Sequence, residues 1–387
     1  MGRCWCAQEF VLNRKLVVRC GRQDLPDKYL IAKVFDLAVG GRIPRACLPN
    51  SEEDPKSLRE CHKTLALLRR QLILAPRIKM HTVLNLLHPL RATDPRDKIY
   101  SVLTLTDKEL EVDYTCTVED LYNRVAAVIV NDTPSLAILY DNLLQKDLDL
   151  PSWVPDWSTW QYGTRGTVLG VGYAASGNVK ADVKVIPEEN ILEATGCLID
   201  KITWLGDQIG EHYSGSFSYE DSAQRGWLKT QRGAFRKEVL GIMSEGDDSA
   251  DYQGLADDML WRCLIGNITL DEEQADEVYR GHFFAHMKCN EDSSKVVKDM
   301  AIEFHDAVRR RSRYKRLGFT EKRYFGSLPQ TAEIGDWICM LYGGKHMYVV
   351  RECDRGFRYI GHAYADGLMK GQCLNMVGLE PRRIQLV

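Results

Sequence analysis

The sequence lacks a surplus of either charge. Across 387 residues, 51 Lys and Arg stand against 54 Asp and Glu, a net charge of -3. That balance makes no global field to draw nucleic acid or an anionic membrane, so no nucleic-acid partner is expected. It also lacks any apolar run near the roughly 20 residues a membrane helix needs. The opening MGRCWCAQEF holds no apolar signal-peptide core. Its Met-Gly start with Cys4 and Cys6 suggests acylation, but Cys6 stands where myristoylation wants Ser or Thr. No membrane partner is therefore expected. The 12 cysteines form no C-x-x-C pair, and most sit in apolar stretches. They read as reduced core thiols of a cytoplasmic or nuclear protein. Gly170-x-Gly172 has neither the third glycine of a dinucleotide loop nor the lysine of a phosphate loop, so no cofactor is implied.

What is present is ordinary globular usage, with 44% hydrophobic and 27% charged residues. Collagen-like, disordered and disulfide-stapled classes are excluded. The length suggests two or three domains.

Residues 3–13 read as a helix with Trp5, Glu9 and Leu12 in one sector, and LVVRC as a short strand closed by Gly21. The polar, Pro-containing GRQDLPDKY offers that strand no partner. A lone strand cannot satisfy both edges, so residues 1–25 are expected to be the tail of an α/β domain. The alternative is a two-element decoration packed on the rest. Residues 26–150 look helical, with DKYLIAKVFDLAV and SLRECHKTLALLRRQLIL carrying apolar residues at three- and four-residue spacing. Asp94 suits a cap, Pro95 the first helical position and Asp97 the third, with Ile99, Val102, Leu103 and Leu105 as the buried stripe. Thr117 opens another helix, striped by Leu121, Val125, Val128 and Ile129 and stopped by Pro134.

From LPSWVPDWSTW onward the character changes. Short alternating segments such as GDWICMLY, HMYVVREC and FRYIGHAY predict a small antiparallel barrel or sandwich over 151–387. A helical insert at about 205–318 interrupts it. The fold class is thus α+β.

The motifs ATDPRDKIYSVLTL, VDYTCTVEDLY and LPSWVPDWS, in that order, resemble the region behind the HET domain of fungal heterokaryon-incompatibility proteins. The tail segments TEKRYFG, GDWICMLYGG, YVVRE and FRYIGHAYADGLMKG are similar to the same family. The residues carrying the resemblance are Asp94, Pro95, Arg96, Asp97, Tyr100, Asp113, Tyr114, Trp153, Pro155, Asp156, Trp157, Gly335, Asp336, Gly361, Tyr364, Gly367 and Gly371. At the front, Trp5 and Gln8 in RCWCAQEFVL match the last block of the HET domain itself. The two earlier blocks of that domain do not precede them. The resemblance implies a non-enzymatic recognition and regulatory role in incompatibility-type programmed cell death, with protein partners that include other HET-family proteins. Trp5-Cys6-Ala7-Gln8-Glu9 also has the Trp-Cys-x-x-Glu spacing of TIR-type domains. By that likeness Glu9 would support NAD cleavage, since a carboxylate stabilises oxocarbenium charge. The competing reading is a helix-surface carboxylate paired with Arg14, because one carboxylate builds no pocket.

His282-x-x-x-His286-x-x-Cys289 places two imidazoles one helical turn apart, yet no second Cys/His pair lies near, so a metal is not expected. The densest basic run, Arg309, Arg310, Arg311, Arg313, Lys315 and Arg316, is a candidate anion-binding patch. Its plain reading is a solvated helix end, where cations suit the C-terminal pole. The WVPDWSTW tryptophans read as a hinge between the helical and β parts.

Overall fold

The computed structural model describes residues 3–13, 17–20, 23–26, 65, 68–69, 71–72, 77–88, 90–132, 134–140, 146–159, 172–213, 215–218, 220–241 and 250–387. They divide into two units. One takes its residues from Met1–Ile129, Gln145–Leu150 and Val154–Tyr162, the other from Val130–Leu144, Pro151–Trp153 and Gly163–Val387.

In the first unit, helix α1 (Cys4–Leu12) buries Cys4, Ala7, Phe10 and Val11. Trp5 and Leu12 lie 44% and 50% exposed, so the sector that they share with Glu9 faces outward. Strand β1 (Val17–Cys20) is not partnerless. It pairs antiparallel with β2 (Gln23–Pro26), from Val17↔Pro26 to Cys20↔Gln23. The polar GRQDLPDKY segment thus supplies a strand, because pairing needs backbone groups rather than apolar side chains. That pairing satisfies one edge of β1. DKYLIAKVFDLAV and most of SLRECHKTLALLRRQLIL lie outside the described residues.

Helix α2 (Met80–Leu87) buries Met80, Val83, Leu84 and Leu87. The turn at Asp94 yields only one helical turn, α3 (Asp97–Tyr100), with Arg96 rather than Asp94 in the cap position. A 3-10 turn, Leu103–Leu105, follows. Ile99, Val102 and Leu105 are buried there, while Leu103 is half-exposed. Helix α4 (Val118–Asp132) starts as expected, with the Thr117 hydroxyl accepting from Asp120 N at 3.1 Å. Its buried face is Leu121, Tyr122, Val125, Ala126 and Val130, and Val128 and Ile129 are only half-buried.

In the second unit, β3 (Val183–Ile186) and β4 (Ile191–Gln208) form a hairpin that turns at Asn190, whose φ of 56° suits Asn in the left-handed region. A helical excursion follows: α5 (Ile209–His212), α6 (Ser222–Gly241), α7 (Ala250–Ile265), α8 (Glu277–Lys288) and α9 (Lys295–Arg311). Side-chain caps start two of these, Asp276 on Val278 N for α8 and Ser294 on Val297 N for α9. The chain then returns as β5 (Lys315–Thr320), β6 (Phe325–Pro329), β7 (Trp337–Leu341), β8 (Met347–Cys353), β9 (Gly356–Ala365) and β10 (Arg382–Leu386). The insert therefore runs between Gln208 and Lys315, inside the expected 205–318.

The pairings close on themselves. β4 pairs with β5, β5 with β6, β6 with β9, β9 with β8, β8 with β7, and β7 with β4 again. Every pairing in this ring is antiparallel. One apolar core joins ring and insert: Leu260, Trp261, Phe283 and Phe304 from the helices cluster with Leu317, Phe319, Phe325 and Met340 from the strands. The helices thus bury the apolar stripes that made them legible.

Two constraints fix the ring. At the β4–β7 crossing a Cβ on Gly196 would stand 2.3 Å from the Met340 carbonyl oxygen, so only glycine permits the approach. At the entry to β7, Asp336 is 2% exposed and accepts from Arg351 Nε at 2.7 Å and Nη2 at 3.0 Å, and from Glu333 N at 2.8 Å.

Gly196→Ala is expected to destabilise the second unit by about 1–3 kcal/mol, because backbone must shift to admit the methyl. Urea denaturation followed by near-ultraviolet circular dichroism measures this, and an unchanged midpoint would contradict it. Arg351→Met should cost about 3 kcal/mol by leaving the Asp336 carboxylate buried without its cation. The double variant Asp336→Asn/Arg351→Met is expected to recover part of that loss.

Candidate functional site

Glu9 sits on the exposed face of α1 beside exposed Trp5. Gln8 turns the other way and donates to the Ser101 carbonyl. Two bonds tie the start of this helix to the segment before Asp94: Cys4 N donates to Arg91 O at 2.9 Å, and Arg3 Nη2 to Thr93 Oγ1 at 3.1 Å.

The Asp94–Tyr100 and Asp113–Tyr114 motifs come together and lock one another. Asp94 accepts from its neighbour Arg96 at the backbone (2.9 Å), at Nε (3.0 Å) and at Nη2 (2.9 Å). The Arg96 guanidinium holds the Asp94 carboxyl below the usual carboxylate range. Arg96 Nη1 then donates to the Tyr114 and Cys116 carbonyls. Tyr114 returns a bond to Asp97 Oδ1 at 2.7 Å, and Tyr100 donates to Asp113 O at 2.7 Å. Tyr122 closes the arrangement on Pro95 O at 2.9 Å. These polar atoms are engaged in positioning the loop, so the arrangement acts as a clasp.

The tryptophan motif divides. Trp153 is buried in the second unit and donates to Asn190 O at 2.9 Å. Trp157 is buried in the first, edge-on to Tyr122 at 5.1 Å, and Trp160 lies outside the described residues. Pro155 is buried between them in sequence, and Asp156 caps two turns, accepting from Asp147 N at 3.0 Å and Ser158 N at 2.9 Å. In the tail, Gly335, Gly367 and Gly371 take φ of 98°, 79° and 80°, which the left-handed turns require. Gly361 lies at the β8–β9 register shift.

His286 is buried against Tyr213, whose hydroxyl lies 3.3 Å from Nε2, and burial pushes the imidazole down to about 3. His282 lies 3.9 Å from Glu303, and Cys289 is the buried C-cap of α8. Among the described residues no three His, Cys, Asp or Glu side chains gather as a metal set.

The basic run is not one patch. Arg309 pairs with Asp306 at 3.1 Å and Arg310 with Glu272 at 2.9 Å, both on the surface side of α9. Arg313 lies over the Tyr314 ring, and Arg316 bonds Gly206 O at 2.9 Å. The solvated-face reading fits these four. It fails for Arg311 and Lys315, which are 9% and 8% exposed. The break follows from the chain: α9 ends at Arg311, Ser312 caps it on Val308 O at 2.8 Å, and β5 starts at Lys315. Helical and strand periodicities then send alternate cations inward.

Inward they meet a cavity of about 30 Å³ lined by residues of α7, α9 and the ring. Its polar lining includes Arg311, Lys315, Ser327, His346, His362 and Tyr364, beside Ser312 and Tyr173. Lys315 Nζ donates to His362 O, and Arg311 Nη2 to Thr269 O at 3.2 Å. Tyr364 belongs to a separate network, donating to Asp366 Oδ1 at 2.5 Å while Arg262 grips that carboxylate at 2.9 and 2.8 Å. Burial pushes Lys315 down to about 7 and His346 down to about 3. Burial likewise holds His362 well below its ordinary value, and burial with neighbouring Arg310 lowers Arg311.

Sequence reasoning missed Ser327, His346, His362 and Tyr173. The imidazoles enter from before β8 and from β9, elements brought together only by the cross-strand register Tyr348↔His362. No spacing rule in a linear sequence encodes that meeting. The one available signal was the density of Arg and Lys over residues 309–316.

Residues 256–380, the stretch from α7 to the turn before β10, match the Het-6 beta-barrel domain family. The chain is also similar to heterokaryon incompatibility protein 6, OR allele, of Neurospora crassa, at 24% identity over 451 aligned positions. That similarity covers 96% of this chain and 64% of the relative, so the chain spans less than two thirds of that protein's length. No solved structure matches significantly. These two matches make the chain similar to fungal heterokaryon-incompatibility (HET) proteins, and they support a relationship to the C-terminal region of that family.

Proposed function

We propose that this chain is a non-enzymatic recognition and regulatory protein of fungal heterokaryon incompatibility. It works by holding protein partners, other HET-family chains among them, in a pathway that ends in programmed cell death. The observation that carries this reading is the extent of the similarity to a heterokaryon incompatibility protein, which takes in both units rather than the ring alone. The motif chemistry supports it. The Asp94, Arg96, Tyr100 and Tyr114 side chains bond one another and nearby backbone, which suits a scaffold. Cytoplasm and nucleus both suit such a protein, and no described helix is long and apolar enough to cross a membrane.

Two measurements test it. Expression of the chain in one of two otherwise compatible fungal strains is expected to slow growth of their heterokaryon and to raise vital-dye uptake in fused cells. Vigorous heterokaryons with unchanged viability, at confirmed expression, would overturn the proposal. In a separate assay the purified protein and its Glu9→Gln variant are expected to leave NAD at the level of the buffer blank. Turnover that disappears in Glu9→Gln would instead make Glu9 catalytic.

A further inference from the structure

We infer that the cavity beneath β5 is a binding site for a small oxyanion, a phosphate or carboxylate group, held by Lys315, Ser327 and His346 with Arg311 beside them.

The composition of the lining carries the inference. The Lys315 ammonium reaches the cavity, and none of the described residues lining it is a carboxylate. The nearest acids are engaged elsewhere, Asp366 by Arg262 and Tyr364, and Glu272 by Arg310. A cation so enclosed normally stands against a counter-charge, since desolvating an uncompensated charge is expensive. The neutral polar groups point the same way. Among the described residues Ser327 Oγ, both ring nitrogens of His346 and Nε2 of His362 are buried with no hydrogen-bond partner. Buried polar atoms are ordinarily satisfied, and a group of unsatisfied ones around one cavity marks a missing ligand or water. Ser327 is 3% and His346 2% exposed, so bulk solvent does not serve them.

Donors predominate in this set. A lysine ammonium, a guanidinium, a hydroxyl and an imidazole N–H all offer hydrogens, which matches an acceptor-only ligand. The walls hold that geometry. His346 packs between Tyr140, Tyr173 and His362 at ring-centroid distances of 4.9, 5.0 and 5.1 Å. The Tyr173 hydroxyl is tied to Gly266 O, where φ is 63° and a Cβ would fall 2.5 Å from that hydroxyl. Volume limits the occupant. About 30 Å³ holds two or so water-sized groups, enough for an oxyanion headgroup and too little for a nucleotide base.

Protonation follows from occupancy. The groups facing Lys315 are Arg311, His346, His362, Tyr173 and Tyr364, and burial lowers its pKa to about 7. An anion favours the ammonium, so binding above that value draws a proton onto Lys315.

Isothermal titration of the full chain with inorganic phosphate, and in a parallel arm acetate, tests the site at pH 6.5 and constant ionic strength. Saturable binding of one anion per chain is expected in at least one arm, and the arm that responds identifies the ligand chemistry. Lys315→Met is expected to weaken it at least about tenfold and Ser327→Ala about threefold to tenfold. Arg309→Met removes a charge from the same run outside the cavity and should bind as the wild type. At pH 8, titrations in buffers of different ionisation enthalpy should show proton uptake by the wild type and none by Lys315→Met. The inference is overturned by wild-type protein that binds neither anion, leaving a cavity for water alone. It is equally overturned if Lys315→Met and Ser327→Ala, both folded by circular dichroism, bind as tightly as Arg309→Met.

Discussion

The second unit depends on one strand serving two halves of a ring. β4 is 18 residues long, and its register passes from β3 and β10 through β7 to β5. Three register shifts accompany that passage, between Leu198 and Asp200, between Ile202 and Trp204, and between Leu205 and Gln208. Such irregularities bend a strand and increase its twist, which is what closure demands. Closure removes the exposed edges that an open sheet of this size would present. It also decides where the insert lies, because β4 and β5 are paired neighbours that bracket the whole helical excursion. The helices must leave and return at the same side of the ring, and their apolar faces meet its strands there.

That return has a chemical consequence. Ser312 and two further residues separate the end of α9 from β5. In that space the chain converts from a helix, with its face toward α7, to a strand with one face inside the ring. Ser312 secures the junction through its hydroxyl on Leu264 O at 2.6 Å. Arg311 and Lys315 are carried inward by the two different periodicities at once. Charged side chains are retained there despite the desolvation each suffers, whereas a ring stabilised by packing alone would favour apolar residues at both positions. The first unit uses its charge differently. Asp94 and Arg96 neutralise each other within one turn, and Arg96 spends its remaining donors on loop carbonyls, so that charge rigidifies a loop.

Much of this was legible in the sequence. Helical patterning announced an insert without dividing it into α6 to α9, and alternation placed β7, β8 and β9 in GDWICMLY, HMYVVREC and FRYIGHAY. Thr117 announced α4. What failed did so for identifiable reasons. QDLP has the composition of a loop, and its pairing with β1 rests on backbone bonds that composition does not report. The sector shared by Trp5, Glu9 and Leu12 left the packing face of α1 unspecified, and the small residues Cys4 and Ala7 mark the face that packs closely. The Asp94–Asp97 start was read as a full helix, whereas the Arg96 side chain folds back onto Asp94 and the helix lasts a single turn.

The family motifs show the same limit from another side. Asp336, Gly335 and Tyr364 are identifiable in sequence as marks of resemblance, but their physical roles differ. Asp336 anchors Arg351 at the start of β7 and Gly335 supplies the left-handed turn before it. Tyr364 alone reaches the cavity, and its hydroxyl is directed to Asp366. The cavity's own polar groups, Ser327, His346 and Lys315, lie outside that motif set. Of the residues that carry the resemblance, Asp336 and Gly335 thus hold the ring in shape, and the chemically unsatisfied residues are those that the shape brings together. A fold maintained by the first group can keep its architecture while the second group varies, which separates membership of the family from the ligand that any one member takes.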